Sequence, residues 1–162
     1  MIAMRFLLAA LLLAAPSFGQ KYTGPRPAKP DVVYLLHAST LVATEAGEAK
    51  EETRKDVMAN VMKGAASTAR TPLAEPVFLI ETEKLDAAKF ELYKMDVKNG
   101  QREVVIPSDP KKRLKNAPKP MRLKWEKIEG NLFRLEANEY LDNGEYCLSP
   151  SGSQQVFCFQ VY

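Results

Sequence analysis

YCLSPSGSQQVFCFQV, residues 146–161, decides the fold. Apolar and polar residues alternate on both sides of a Ser/Pro/Gly-rich centre, the pattern of two antiparallel strands joined by a turn. Pairing Cys147 with Cys158 sets Leu148 against Phe157 and Tyr146 against Phe159. Tyr146, Leu148, Phe157, Phe159 and Val161 then share one face, and the cysteines lie on the other, because successive side chains of a strand alternate. The connection is either a two-residue loop, Gly152-Ser153, or a four-residue loop, Ser151 to Gln154. The two differ in whether 147–158 is a hydrogen-bonded pair or the closer, non-hydrogen-bonded kind.

Two further hairpins lie upstream. Asn99-Gly100 is a strong turn signal, since both central positions of a type I′ turn need positive φ. A two-residue loop there sets Asp96 opposite Glu103, Met95 opposite Val104 and Tyr93 opposite Ile106. The next turn falls at Glu129-Gly130-Asn131. A three-residue loop pairs Trp125 with Leu135, Glu126 with Arg134 and Lys124 with Glu136, which matches the faces. Trp125 is placed among the core residues on this reading. Asp31 to His37 (DVVYLLH) and Pro76 to Glu81 (PVFLIE) are near-continuous apolar runs suited to central strands. Residues 46–64 are ambiguous: the charged first half fits a helix, whereas Val57 to Met62 fits a strand, and strand is adopted. Leu85 to Ala88 is read as one helical turn. The chain is therefore expected to be all-β, an antiparallel β-sandwich of about eight or nine strands.

Leu141-Asp142-Asn143-Gly144-Glu145-Tyr146-Cys147 resembles the approach to the penultimate strand of immunoglobulin-like sandwiches. Asp142, Gly144 and Tyr146 occupy the positions of that family's tyrosine corner, whose hydroxyl bonds back to the backbone. The family's cysteine position is Leu148 here, and Cys147 comes one residue early. The resemblance thus implies an immunoglobulin-like fold, no inter-sheet bridge, and a bridge from Cys147 to the neighbouring strand at Cys158. It implies no activity, because such sandwiches host many functions.

The first nineteen residues read as a secretory signal peptide. Arg5 supplies a charge, Phe6 to Ala15 an apolar run of about ten residues, and Ser17 and Gly19 the small residues before a cut at Gln20. The run is well short of the ~20 residues a spanning helix needs, so no transmembrane segment is expected in the mature chain. Three regions follow: signal peptide 1–19, a Pro-rich linker 20–30 (three prolines in QKYTGPRPAKP) and a single β-sandwich domain 31–162. An exported protein, periplasmic or secreted, meets oxidising conditions in which an even pair of cysteines is expected to form a disulfide.

The whole chain carries 23 Lys and Arg against 20 Asp and Glu, and loss of Arg5 with the leader leaves a net charge of about +2. That balance is too mild to point to nucleic acid. His37, the single histidine, ends an apolar strand with no nucleophile motif beside it. One histidine and a bridged cysteine pair give no metal constellation, and no phosphate or dinucleotide motif occurs, so no cofactor is expected. No catalytic residue is assigned, and the protein is read as a non-catalytic binding or structural domain of the cell envelope or extracellular space, its partner an unidentified envelope protein.

Two alternatives follow from charge. Lys111 to Lys127 holds eight basic residues and one acid. Lys111, Lys112, Arg113, Lys115, Lys119, Arg122 and Lys124 would form a surface for anionic polymers or glycans, unless acids such as Glu126 and Glu136 pair with them. Asp96 facing Glu103 invites a carboxylate-based hydrolase, against which stands neutralisation of the pair by Lys94 and Lys98 on the same face.

Overall fold

In a computed structural model that describes residues 21–55, 57–109 and 118–162, the 146–161 hairpin is the wall between two apolar cores. Thirteen strands occur among the described residues. They are β1 (Val33–His37), β2 (Thr40–Ala43), β3 (Glu45–Glu48), β4 (Lys50–Arg54), β5 (Val57–Lys63), β6 (Arg70–Thr71), β7 (Val77–Glu81), β8 (Phe90–Lys98), β9 (Gln101–Pro107), β10 (Leu123–Glu129), β11 (Leu132–Ala137), β12 (Gly144–Pro150) and β13 (Gln155–Val161). A single 3₁₀ turn, Ala87–Lys89, is the helical element, capped by the Asp86 carboxylate. No helix among the described residues is long and apolar enough to cross a membrane. The leader, residues 1–19, lies outside the described residues.

The strands form two sheets. One has the order β10-β11-β7-β1-β2; the other runs β3-β13-β12-β8-β9-β5-β4, with β6 added beside β13. Apart from the two-residue parallel pairing of β6 with β13, every ladder is antiparallel. The all-β, two-sheet expectation holds, and the strand number exceeds it because several strands are short.

The first core lies between the sheets. Val33, Leu35, Phe78, Ile80 and Leu135 face Leu92, Tyr146, Leu148, Phe157 and Phe159, all buried. Phe159 meets Phe78 edge-on at 5.0 Å and stacks on Tyr146 at 5.6 Å between centroids. The Tyr146 hydroxyl donates to the Asp142 carbonyl at 2.8 Å, the bond back to the backbone that the 142–146 motif predicts. Burial comes first in raising the Tyr146 phenol above its ordinary range, so it stays a neutral donor.

The second core was not anticipated. Strands β3 and β4 are the two ends of the larger sheet, yet only Ala49 separates them in the chain, and its amide donates to the Gln154 carbonyl at 2.8 Å. The sheet therefore closes on itself as a small antiparallel barrel: β3 and β4 as one interrupted strand, then β13, β12, β8, β9 and β5. Ala49, Met62, Met95, Val104, Cys147, Val156 and Cys158 fill its interior. Gly47 makes room there, since a Cβ would stand 2.9 Å from the Met62 terminal carbon. The outer face of β8, β12 and β13 packs on the five-stranded sheet, so one wall serves both cores.

The hairpin registers follow their turns. Asn99 and Gly100 have φ of 52° and 74°, as a type I′ loop requires, and Asp96 faces Glu103. The ladder ends there. Met95–Val104 and Tyr93–Ile106 do not pair, because β8 and β9 diverge and Leu92 instead exchanges backbone hydrogen bonds with Met121. All four side chains still point into the barrel. Trp125 pairs with Leu135 as expected, with a bulge between Lys127 and Glu129 in place of a three-residue loop. Trp125 is nevertheless half exposed, because β10 is an edge strand and overhangs the sandwich core. Cys147 and Cys158 form the disulfide, with Cα atoms 4.0 Å apart. That short spacing belongs to a non-hydrogen-bonded pair and goes with the four-residue loop, 151–154.

Candidate functional site

Inward-pointing residues divide the barrel into a sealed end and an open end. At the sealed end Arg102, on β9, is 1% exposed. Its guanidinium donates to Glu45 Oε1 at 2.6 Å, Ser67 Oγ at 2.6 Å, and the carbonyls of Lys63 and Gly64 at 2.7 and 3.0 Å. Glu145, on β12, lies 3.8 Å from it and accepts from the Ser67 amide and hydroxyl at 3.0 and 2.6 Å. Glu145 Oε1 is buried and has no hydrogen-bond partner. Four strands and a loop are tied here by one cation.

At the open end, where β8 and β9 have parted, lies a cavity of about 320 Å³. Met58, Met95, Val104, Ile106 and Val156 form apolar walls, and Cys147 brings the disulfide to its floor. Polar residues make up nearly half of the lining, the serines of the 149–153 turn among them. Tyr93 donates its hydroxyl to Glu91 Oε2 at 2.7 Å. Burial, and then that hydrogen bond, push the phenol far above the ordinary tyrosine range, so it remains protonated. Asn60 Oδ1 is buried without a partner. Gln154 donates to Glu51 at the rim at 3.2 Å. Among the described residues no Lys or Arg lines the cavity.

No protein-family model, curated protein or solved structure matches this chain.

The sequence-predicted sites fare differently. Lys111, Lys112, Arg113 and Lys115 lie outside the described residues. Lys119, Arg122 and Lys124 are exposed on and before β10. Lys124 faces Glu136, which is ion-paired with Arg134. Asp96 and Glu103 do meet across β8 and β9, but Glu103 is held by Arg54 at 2.7 Å and Lys98 at 3.2 Å, with Asp96 4.0 Å from Lys98. Lys94 turns instead to Asp142, at 3.6 Å, on the side away from β9. Burial alone would raise the Glu103 carboxyl; the hydrogen bonds from Arg54 and Lys98 outweigh it and hold the group below the usual carboxylate range. A glycosidase-type acid needs the opposite shift. His37 ends β1 with its Nε2 buried and unpartnered. No group of three or more His, Cys, Asp or Glu side chains suited to a metal occurs among the described residues.

A pH dependence follows from Glu103 and from Asp31. The Asp31 carboxylate accepts from the amides of Glu83, Lys84 and Leu85, which outweigh burial and lower its pKa. Both groups take up protons less readily folded than unfolded. Their stabilisation is complete above the unfolded carboxylate range, about pH 4–4.5, and is lost as pH falls through the lower folded values. Chemical-denaturation midpoints should fall between pH 6 and pH 3. Glu103→Gln should cost about 1 kcal/mol at pH 7, its cationic partners being exposed, and should flatten that acid limb. An unchanged acid limb in this variant would remove Glu103 from the account.

Cavity residues were missed at the sequence level for a definable reason. Their inward alternation was visible in Met95, Val104, Tyr93 and Ile106, but the barrel that gives the alternation an inside depends on β3 meeting β13.

Proposed function

We propose that the protein is an exported, non-catalytic binding domain of the cell envelope or extracellular space, with the open end of the barrel as its ligand seat. The observation that carries this reading is the cavity: apolar walls facing a polar rim, in an antiparallel barrel, at the lower end of the size range of small-molecule pockets. The leader at residues 1–19 supports export, and the disulfide in the cavity floor suits an oxidising destination. The Tyr146–Asp142 corner supports an immunoglobulin-like arrangement of the final strands. A second reading, binding of anionic polymers or glycans through Lys111 to Lys124, is favoured by the exposure of Lys119, Arg122 and Lys124 beside half-exposed Trp125.

The test has two arms. Cell fractionation should find the protein outside the cytoplasm with Gln20 as its first residue. The purified protein should raise the fluorescence of the uncharged probe N-phenylnaphthylamine, and the cavity-filling variants Val104→Phe and Ile106→Phe should abolish that rise while keeping the β circular-dichroism spectrum. No rise with the native protein, or a rise indifferent to both variants, would overturn the cavity as the seat. Salt-sensitive retention on heparin with an empty cavity would favour the second reading.

A further inference from the structure

We propose that Asn99 is a modification site, at which the folded chain converts itself to aspartate and isoaspartate with no enzyme. Asparagine followed by glycine occurs twice, at Asn99-Gly100 and Asn143-Gly144. In such a pair the glycine nitrogen can attack the asparagine side chain, because glycine has no Cβ to obstruct the approach. At the first pair the Gly100 nitrogen loses its proton and bonds to Asn99 Cγ. The Cγ–Nδ2 bond breaks, ammonia leaves, and a five-membered imide remains. Water then adds to either imide carbonyl. One addition gives aspartate; the other reroutes the backbone through Cβ and gives isoaspartate. Water is the co-reactant throughout, and nothing is oxidised or reduced.

The fold treats the two pairs differently. Asn99 and Gly100 are exposed at the tip of the β8–β9 hairpin. The ladder closes at Lys98–Gln101, and among the described residues no group accepts from the Gly100 amide. Apart from its chain neighbours, nothing lies within 4 Å of where a Gly100 Cβ would stand, so this peptide can turn toward the side chain without collision. Gly144, by contrast, opens β12 and pairs with Val161. Bonded and non-bonded pairs alternate along an antiparallel ladder. Counting from the non-hydrogen-bonded Cys147–Cys158 pair, Gly144–Val161 is a hydrogen-bonded one, so the Gly144 amide donates to the Val161 carbonyl. Lys94 also crowds this glycine, its Cε 3.2 Å from where a Cβ would stand. The neighbouring Asp142 carbonyl is held by the Tyr146 hydroxyl. Attack at Asn143 must therefore wait for β12 to fray. Conversion at Asn99 adds a negative charge to a hairpin that already sets Asp96 against Glu103. Isoaspartate also lengthens the loop that leads directly into Arg102.

The test is to hold the purified protein at neutral and at alkaline pH, separate it by anion exchange, and map its peptides by mass spectrometry. A more acidic form should accumulate, faster at alkaline pH because the attacking amide must lose its proton. Asn99 should convert about tenfold faster than Asn143, the factor that one ladder hydrogen bond is worth. In urea-unfolded protein the two sites should convert at similar rates, since only the fold tells them apart. Asn99→Gly keeps a residue suited to the type I′ turn and should abolish the early acidic form. Equal rates at the two sites in the folded protein, or earlier conversion of Asn143, would overturn the proposal. So would an Asn99 that stays intact when folded yet converts when unfolded, or an early acidic form that persists in Asn99→Gly.

Discussion

Arg102→Met should destabilise the protein by about 3–5 kcal/mol, the cost of removing one partner from a buried charged network. That is a large share of the 5–15 kcal/mol typical of a domain. The size follows from what the guanidinium holds. Glu45 on β3, Ser67, and the carbonyls at Lys63 and Gly64 all accept from it, and Glu145 on β12 stands beside it. Methionine fills similar volume but leaves these acceptors buried and unanswered. The loss should therefore be partly reversed by Glu145→Gln in the same chain, because one uncompensated carboxylate disappears. Urea-denaturation midpoints with a common slope measure both. A single variant within about 1 kcal/mol of the native protein would show that water reaches the cluster and that the sealed end is not sealed.

Replacing both cysteines by alanine should cost about 3 kcal/mol in the chain-entropy model, since residues 11 apart close a loop of about a dozen. For a domain of this size that corresponds to a fall in melting temperature of about 10 °C. The fold should persist at room temperature, because the apolar residues of the two cores carry it. A second consequence separates the bridge from a mere clamp: Cys147 lines the cavity, so probe binding should weaken as well. A reduced protein that is already unfolded at room temperature would be falsified as a barrel held mainly by its cores.

The fold was legible where it is local. Turn chemistry at Asn99-Gly100 and alternation through Tyr146 to Val161 set registers that need only a few neighbouring residues. The disulfide partners and the Tyr146 corner belong to the same class. What escaped depends on distant pairings. β3 and β4 read EAGE and KEETR, sequences whose charge gave no hint that Gly47 and Ala49 face a core. Arg102, two residues after a tight turn and between Gln101 and Glu103, has the surroundings of a surface residue; only closure of the barrel buries it. Trp125 failed in the other direction: its face was assigned correctly, but its strand lies at an edge where that face runs out of partners. As for the site, the tyrosine and the methionines of the cavity were seen as strand residues, and the space between them could not be seen until β8 and β9 were found to part.

The closure of the larger sheet has a further consequence, for self-association. An open sheet offers rows of unpaired amides and carbonyls onto which another chain can add a strand, the first step toward aggregation. By joining β3 to β4 through Ala49 the protein conceals the ends of its longest sheet. Exposed edges remain, among the described residues, at β2, at the two-residue β6 and at β10, and β8 and β9 part beyond Asp96–Glu103. β2 is four residues long, and β10 is bulged and carries Lys124 and Lys127. Short, bulged and lysine-bearing strands are poor templates for addition, so an all-β protein with these edges can resist pairing with its own copies.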